Sequence, residues 1–134
     1  MTHKGGRNGK TNKRARACEF DQKARFIIYS RDNHKCIFCE SGRENIKMPK
    51  DFMADRIDGV MHYIPRSKGG LGIPQNGALG CRYHHRVLDN GTDREQARIL
   101  KEYFREYLQN HYPGWNEEDL YFDKWKELEE VKRK

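Results

Sequence analysis

The sequence predicts a small α+β fold that is stapled by a bound metal, and three observations lead to this prediction. Only 35% of the 134 residues are hydrophobic and another 35% are charged, so the apolar core is small. A chain of this polarity needs an additional staple, and two pairs of metal-ligand residues supply one. Around these pairs, the pattern along the chain is helix, zinc knuckle, strand, loop, strand and helix.

The positive charge is concentrated at the N-terminus. The formal net charge is +7, and residues 1–16 hold six basic residues and no acid. This Gly-, Asn- and Lys/Arg-rich stretch lacks the apolar surface needed to fold, so residues 1–20 are predicted to be a disordered basic tail. Such a tail suits the phosphates of a nucleic acid, and the alternative is a solvated segment without a partner. No apolar run approaches the length of a membrane span and no signal peptide is recognisable, so we expect no membrane partner and a cytoplasmic location.

The cysteines are spaced as metal ligands. Cys36 and Cys39 form a C-x-x-C pair, and Cys81 and His84 form a matching C-x-x-H pair. Three thiolates and one imidazole fit one tetrahedral structural Zn²⁺. A redox-active C-x-x-C is the alternative, although it leaves the second pair unexplained. The remaining Cys18 has no partner at ligand spacing and is predicted to be a free thiol.

The middle of the chain, residues 21–91, is predicted to be the folded core. A helix is expected over residues 21–32, with Phe26, Ile27 and Tyr29 facing the interior. An irregular loop covers residues 40–56, and a strand follows over 57–64. After a long Gly-rich loop, a short strand near 77–80 leads into a helix over 81–89. That helix is expected to end at Asn90 with Gly91 in a left-handed cap.

Residues 92–134 are predicted to form a helical extension. Thr92 or Asp93 can cap a helix that continues to about residue 110, and Asn116 can cap a final helix. The apolar stripe of the first of these helices comprises Ala97, Leu100, Phe104, Tyr107 and Leu108. These C-terminal helices are a predicted contact surface for a protein partner.

Three polar residues are predicted to meet on one side of the strand–strand–helix unit. His62 stands at the end of the first strand, Asn76 opens the second, and His85 lies on the following helix. A neutral imidazole beside a divalent cation can take a proton from water, while the cation stabilises a departing phosphate-ester oxygen. Basic residues nearby are candidates for contacts with DNA phosphates, and these are Arg66, Lys68, Arg82 and Arg86.

Three segments together resemble a known family. They read RDNHKCIFC, MHYIPRSKGG and NGALGCRYHH, and they fall within residues 31–89. The chain is similar here to HNH endonucleases of the zinc-stapled kind that is common in phages and mobile elements. The resemblance implies a ββα-metal (His-Me finger) core that hydrolyses phosphodiester bonds in DNA and leaves a 5′-phosphate and a 3′-hydroxyl. A phage-encoded enzyme would act in the cytoplasm of the host cell.

The resemblance also implies roles for individual residues. His62 takes the position of the general base, Asn76 that of the residue that braces the loop, and His85 that of a ligand of the catalytic metal. The family usually has four cysteines around its zinc, and here His84 stands in the fourth position. The offset of three residues from Cys81 favours His84 as the zinc ligand, although His84 and His85 are open to an exchange of roles.

Met61 departs from the family pattern. The residue before the general base is usually an acid or a histidine that shares the catalytic cation, and a thioether is a poor ligand for a hard cation. The expected catalytic cation is Mg²⁺ or another divalent ion such as Mn²⁺ or Ni²⁺. Three explanations stay open. His85 holds the cation with water and substrate, another acid replaces the missing ligand, or the site has decayed. Asp58 is the preferred substitute and Asp55 a second candidate.

Two further functions compete with the metal-dependent endonuclease. The absence of an acid at position 61, together with the basic tail, is compatible with a non-catalytic zinc-stabilised module that binds DNA. A small zinc protein whose helices bind a protein partner, for instance in a phage packaging complex, is the other alternative.

Overall fold

The computed structural model of the chain describes residues 13–47, 49 and 56–123. The helices are α1 (Lys13–Ala17), α2 (Gln22–Arg31), α3 (Arg82–Asn90) and α4 (Arg94–His111), and the strands are β1 (Ile57–His62) and β2 (Gly77–Cys81). Four single 3₁₀ turns connect them, at Glu44–Ile46, Arg66–Lys68, Pro74–Asn76 and Glu117–Leu120. The predicted α+β class is therefore confirmed, with helices around one two-stranded sheet.

The sheet is an antiparallel pair that leads directly into α3. Met61 pairs with Ala78 and His62 with Gly77, while Ile57 pairs with Cys81 at the other end. Every residue of β2 is buried. The side chain of Cys81 accepts a hydrogen bond from the backbone amide of His84 and so caps the start of α3.

The main core joins the cysteine-rich knuckle, the sheet and α4. Leu100, Phe104 and Leu108 on α4 are completely buried and belong to the same apolar cluster as Phe38 and Met61. Asp93 caps α4 by accepting a hydrogen bond from the amide of Gln96 at 2.9 Å, as the sequence indicated. Helix α4 therefore forms part of the main core.

A second apolar cluster lies between α2 and the sheet. Ala24 and Ile28 of α2 pack with Phe20 and Leu79 there. The sequence predicted that Phe26 and Ile27 would face the interior, but Phe26 is 71% exposed and Ile27 38% exposed. The physical reason is helical periodicity: residues four apart share a face, so the burial of 24 and 28 turns 26 outward.

The predicted disordered tail needs correction for the residues that the structure describes. Lys13–Ala17 form a short helix, and Cys18 and Phe20 are buried, with 1% and 6% of their surfaces exposed. The high charge of this stretch concealed two residues that contribute to the core. Residues 1–12, which carry the rest of the predicted tail, lie outside the described residues.

Two predictions near the ends of helices also differ from the structure. Gly91 follows α3 with a φ of −68° rather than in the left-handed region. Its lack of a side chain is required instead by close packing, since a Cβ there would lie 2.7 Å from the carbonyl oxygen of Val87. Asn116 caps a 3₁₀ turn that ends at Leu120, and the extended backbone of Tyr121 interrupts the predicted final helix, whose residues 124–134 lie outside the described residues. Within the described part of the chain no helix has both the length and the apolar character needed to cross a membrane.

Candidate metal centre and candidate active site

Cys36, Cys39, Cys81 and His84 come together in a site that can bind a metal such as zinc. Their ligand atoms all lie within 4.8 Å of one another. The knuckle after α2 supplies the first two residues, and the junction of β2 with α3 supplies the others. The backbone amide of Ile37 donates a hydrogen bond to the carbonyl of Leu79 at 3.1 Å, which holds the knuckle against β2.

The separations in this cluster match those around a tetrahedral zinc. With Zn–S bonds of about 2.3 Å and a Zn–N bond of about 2.0 Å, two sulfurs would lie about 3.8 Å apart, and a sulfur and the nitrogen about 3.5 Å apart. The sulfurs of Cys39 and Cys81 are 3.7 Å apart. The Nδ1 atom of His84 lies 3.3 Å from the sulfur of Cys81 and 3.6 Å from those of Cys36 and Cys39.

Contacts around the cluster orient the ring of His84 and keep a thiol protonated while no cation is bound. The Nε2 atom of His84 lies 2.5 Å from the carbonyl oxygen of Ile46, which can only accept a hydrogen bond. Nε2 therefore carries the proton, and Nδ1 presents its lone pair to the three sulfurs. Hydrogen bonds with the neighbouring thiols of Cys36 and Cys81 raise the pKa of Cys39, so the cluster resists full deprotonation without a cation.

The next residue, His85, faces a different environment. Its Nδ1 lies 3.1 Å from a carboxylate oxygen of Asp58, and its Nε2 lies 2.9 Å from one of Asp89. Both partners can only accept hydrogen bonds, so this arrangement holds an imidazolium. The hydrogen bond with Asp89 is the main cause that raises the pKa of His85, and the charges of both carboxylates add to it while burial opposes it. The roles of the two histidines are thus distinct, and His84 is the one in the thiol cluster.

An open cavity of about 470 Å³ surrounds His85. Its lining joins the start of β1 to one face of α3 and consists of Asp58, Arg82, His85, Arg86, Asp89 and Asn90. The Asp58 carboxylate and Nδ1 of His85 lie side by side and are ligand types that suit a divalent cation, and the arginines suit anionic groups such as phosphates. The cavity has the chemistry expected of a site that takes both.

A β-bulge brings Asp58 to this cavity. Ile57 pairs with Cys81 and Gly59 pairs with Gly80, so Asp58 is an additional residue opposite a single step of β2. Gly59 has a φ of +136°, a conformation that residues with a side chain rarely adopt. The irregularity explains how a residue upstream in β1 can reach the side chain of His85. Asp55, the second candidate from the sequence, lies outside the described residues.

His62 occupies the end of β1 and is oriented by two contacts. Its Nε2 lies 2.8 Å from the carbonyl oxygen of Cys18, and its ring packs against that of Phe20 with a centroid separation of 4.4 Å. A carbonyl can only accept, so Nε2 carries a proton and a neutral ring has its lone pair on Nδ1. Burial is the largest influence on the pKa of His62 and lowers it, so the ring is neutral near pH 7.

The electrostatic surroundings connect His62 to the cavity. The positive charge of Arg66 also lowers the pKa of His62, and the charges of Asp89 and His85 act on it as well. His62 therefore lies within electrostatic range of the carboxylate-flanked histidine. Asp58 and His85 line the cavity, whereas His62 and Asn76, which the sequence predicted to meet His85, are not among its lining residues.

Asn76 braces the loop that follows His62. Its side-chain oxygen accepts a hydrogen bond from the amide of Ile64 at 2.7 Å, and its side-chain nitrogen donates to the carbonyls of Ile64 and Leu71. Its own backbone carbonyl accepts from the amide of Tyr63 at 2.8 Å. Gly70 permits this packing, because a Cβ there would lie 1.7 Å from the carbonyl oxygen of Ile64. Asn76 is fully buried, and its contacts fix the chain directly after His62.

Met61 takes no part in the cavity. Successive residues of a strand point to opposite faces, so Met61 points away from the face that carries His62. Its side chain is completely buried in the main core, where its sulfur fills the space above Gly80. The residue that departs from the family pattern is therefore a core residue of this fold.

The four basic candidates fall into two groups. Arg66 and Lys68 lie on the exposed 3₁₀ turn after His62, and Arg66 lies 3.9 Å from Glu19. Arg82 and Arg86 lie on the exposed face of α3 at the cavity with His85. Arg14 joins the first group, since it lines a small cavity of about 200 Å³ together with Arg66 and Cys18.

Sequence reasoning missed Asp89 and the segment that contacts His62. Asp89 was detectable, because residues four apart share one face of a helix and His85 precedes it by that spacing. Cys18 and Phe20 carry no such local signal, since they reach His62 from more than forty residues away in the chain.

Comparison with protein-family models, with curated proteins and with solved structures finds no match to this chain. The functional interpretation therefore depends on the chemistry of the residues described above.

Proposed function

We propose that this protein is a metal-dependent DNA endonuclease of the HNH type, with a ββα-metal core and a structural zinc. The observation that supports it best is the occurrence of a neutral, half-buried His62 within electrostatic range of the carboxylate-flanked His85. The first has the state of a general base, and the second has the surroundings of a cation ligand.

In the proposed hydrolysis of a phosphodiester, His62 acts on the attacking water and the cation acts on the leaving oxygen. Nδ1 of His62 accepts a proton from a water molecule, which then attacks the phosphorus of a phosphodiester. Within the described residues Nδ1 has no hydrogen-bond partner, so its lone pair is available for this step. The bond from phosphorus to the 3′-oxygen breaks, and the products are a 5′-phosphate and a 3′-hydroxyl. A divalent cation such as Mg²⁺, Mn²⁺ or Ni²⁺ supplies, when bound, the positive charge that stabilises the leaving oxygen.

The cation is assigned to Asp58 and His85. A ring nitrogen that binds a metal usually has its partner nitrogen hydrogen-bonded to a carboxylate or carbonyl. Asp58 contacts one ring nitrogen of His85 and Asp89 the other, so Asp58 can share the cation at Nδ1 while Asp89 holds the proton on Nε2. Under this assignment Asp58, at the bulge in β1, replaces the acidic ligand that is missing at Met61.

The zinc is assigned to the cluster of Cys36, Cys39, Cys81 and His84. All four positions are filled by protein ligands, and three of the four residues are buried. A closed ligand set of this kind stabilises a fold and leaves no position for a substrate. Phosphate contacts are assigned to Arg66, Lys68, Arg82 and Arg86, with Arg14 added from the structure.

A plasmid-nicking assay tests the endonuclease. Zinc-loaded protein is incubated with supercoiled DNA and Mg²⁺, Mn²⁺ or Ni²⁺, and we expect nicked circles that a ligase can reseal. His62→Ala should lower the rate about 100-fold or more, which is the usual contribution of a general base. His111→Ala is a matched control, because His111 is exposed and bonds only to the carbonyl of Tyr107 among the described residues.

Two results would contradict the proposal. If the zinc-loaded protein binds DNA but does not nick it with any of these cations, the zinc-stabilised DNA-binding module becomes the better explanation. If His62→Ala nicks as fast as the parent protein, His62 is not the base.

A further inference from the structure

The segment before α2 has a role in the active site that the sequence motifs do not contain. We infer that residues 17–20 act as a positioning segment that fixes the ring of His62 in the orientation and tautomer required of a general base. This inference depends on the proposed function, since it concerns how the same histidine is held. It goes beyond that function because it gives a positioning role to residues 17–20, which lie outside all three motif segments.

Two contacts of different kinds restrain the ring. The hydrogen bond to the carbonyl of Cys18 fixes which nitrogen carries the proton, and so leaves the lone pair of a neutral ring on Nδ1. The ring of Phe20 packs against the imidazole with an interplanar angle of 45°. The first contact alone would allow the ring to turn about the N–H···O axis, and the second prevents that rotation.

The segment is itself fixed by close packing that needs glycine. The amide of Gly72 donates a hydrogen bond to the carbonyl of Ala17 at 2.9 Å, and a Cβ on Gly72 would lie 2.2 Å from the carbonyl carbon of Glu19. Phe20 is equally constrained, since a Cβ on Gly77 would lie 2.5 Å from its ring. Gly77 pairs with His62 across the sheet, so the ring of Phe20 is fitted to the end of the sheet that carries His62.

Polar and charged contacts connect this segment to the basic turn after His62. Arg14 donates a hydrogen bond to the carbonyl of Ser67 at 3.4 Å, and Glu19 lies 3.9 Å from Arg66. Both partners belong to the basic turn that follows His62. The segment therefore closes over the base from the same side as the predicted phosphate contacts.

Phe20→Ala and Gly72→Ala test the inference. The first removes the ring that covers His62, and the second forces the backbone at Glu19 to move away from the loop. Phe26→Ala is the matched control, because Phe26 lies on α2 and is exposed. Zinc content and circular dichroism identify the variants that remain folded, and Gly72→Ala serves if Phe20→Ala does not fold.

The first measurement is nuclear magnetic resonance of the His62 imidazole, which does not depend on activity. The parent protein should show a single Nε2–H tautomer. In both variants we expect a mixture of tautomers and a pKa of His62 that rises toward its ordinary value, since burial is lost. The charged groups that act on this ring are Arg66, Asp89 and His85, and none of them is altered.

The second measurement is the pH dependence of nicking. Each variant should lose about 10- to 100-fold in kcat with an unchanged KM for DNA, because a misplaced base affects the chemical step. The acidic limb of the profile should move to higher pH, a change that a general loss of stability would not produce. Phe26→Ala should match the parent protein in both measurements.

The possible outcomes separate the two proposals. If folded Phe20→Ala and Gly72→Ala keep one tautomer, the parent pKa and the parent rate, the positioning role is wrong while the endonuclease stands. If the tautomer is lost in the variants but the parent protein never nicks DNA, the segment orients His62 and the endonuclease is wrong.

Discussion

Two adjacent histidines of α3 have opposite surroundings. His84 is completely buried, and its ring nitrogens face three sulfurs and a backbone carbonyl. His85 is partly exposed, and its ring nitrogens face two carboxylates at an open cavity. A closed set of soft ligands suits a permanent metal, and an open set of hard ligands suits a cation that must meet a substrate. A step of one residue along α3 thus separates a closed cluster that can bind a metal from an open cavity.

The strongest test of this difference removes a ligand from the closed site. Cys81→Ser should lose the tightly held zinc and with it the folded state, because binding of a structural zinc supplies free energy of folding. Atomic emission should fall from one zinc per chain to none, and the cooperative thermal transition should disappear.

Cys18→Ser is the matched control for that variant. Cys18 is a buried free cysteine outside the cluster, so its replacement should leave the zinc in place. A Cys81→Ser protein that unfolds cooperatively at the parent temperature would contradict the structural role of the metal.

A smaller effect is expected at the open site. Asp89→Asn should weaken binding of Mn²⁺ about 10- to 100-fold, as the loss of a group that orients a metal ligand usually does. Asp58→Asn should weaken it further, because it removes a ligand. Titration of the zinc-loaded protein followed by the paramagnetic signal of Mn²⁺ measures both.

The zinc content and the thermal transition should change little in these two variants, in contrast to Cys81→Ser. Asp119→Asn, an exposed carboxylate of the C-terminal 3₁₀ turn, should bind Mn²⁺ like the parent protein. Equal affinity in all three variants would show that the cation does not bind at His85.

The smallest effect is on the pH dependence of stability. The pKa of His85 is raised in the folded protein, first by its hydrogen bond with Asp89. The protonated ring therefore stabilises the fold fully below the unfolded pKa of about 6.5, and this contribution is lost as the pH rises through the folded value. The half-exposed carboxylates reduce its size.

Thermal unfolding without added divalent cation measures this contribution. Asp89→Asn should lower the melting temperature more at pH 6 than at pH 9, by a few degrees at most. An equal change at both pH values would mean that His85 does not carry the extra proton.

The two histidine sites also differ in how far the sequence could predict them. The Cys/His cluster follows from two local spacings, and the offset of His84 from Cys81 selected the histidine that lies in the cluster. The partner of His85 depended on a bulge at Gly59, which alters strand register and leaves no clear pattern in the sequence. Asp58 could be suggested only because an acid was missing at Met61.

Longer-range contacts were beyond prediction for a physical reason. The burial of Cys18 and Phe20 depends on docking against a loop that lies far along the chain, and local composition there indicates only charge. The orientation of α2 was likewise set by packing, which selected Ala24 and Ile28 over the larger Phe26. Tertiary packing decides such cases, and the local sequence pattern does not reveal it.

The Gly-rich loop after His62 forms backbone hydrogen bonds with residues near both ends of the described part of the chain. Gly72 bonds to Ala17, while Gly69 and Leu71 bond to Phe122 and Leu120. A chain still being synthesised would therefore present the motif histidine well before the loop beside it had both neighbours. The loop beside His62 gains its second neighbour only after Leu120 and Phe122 have been synthesised.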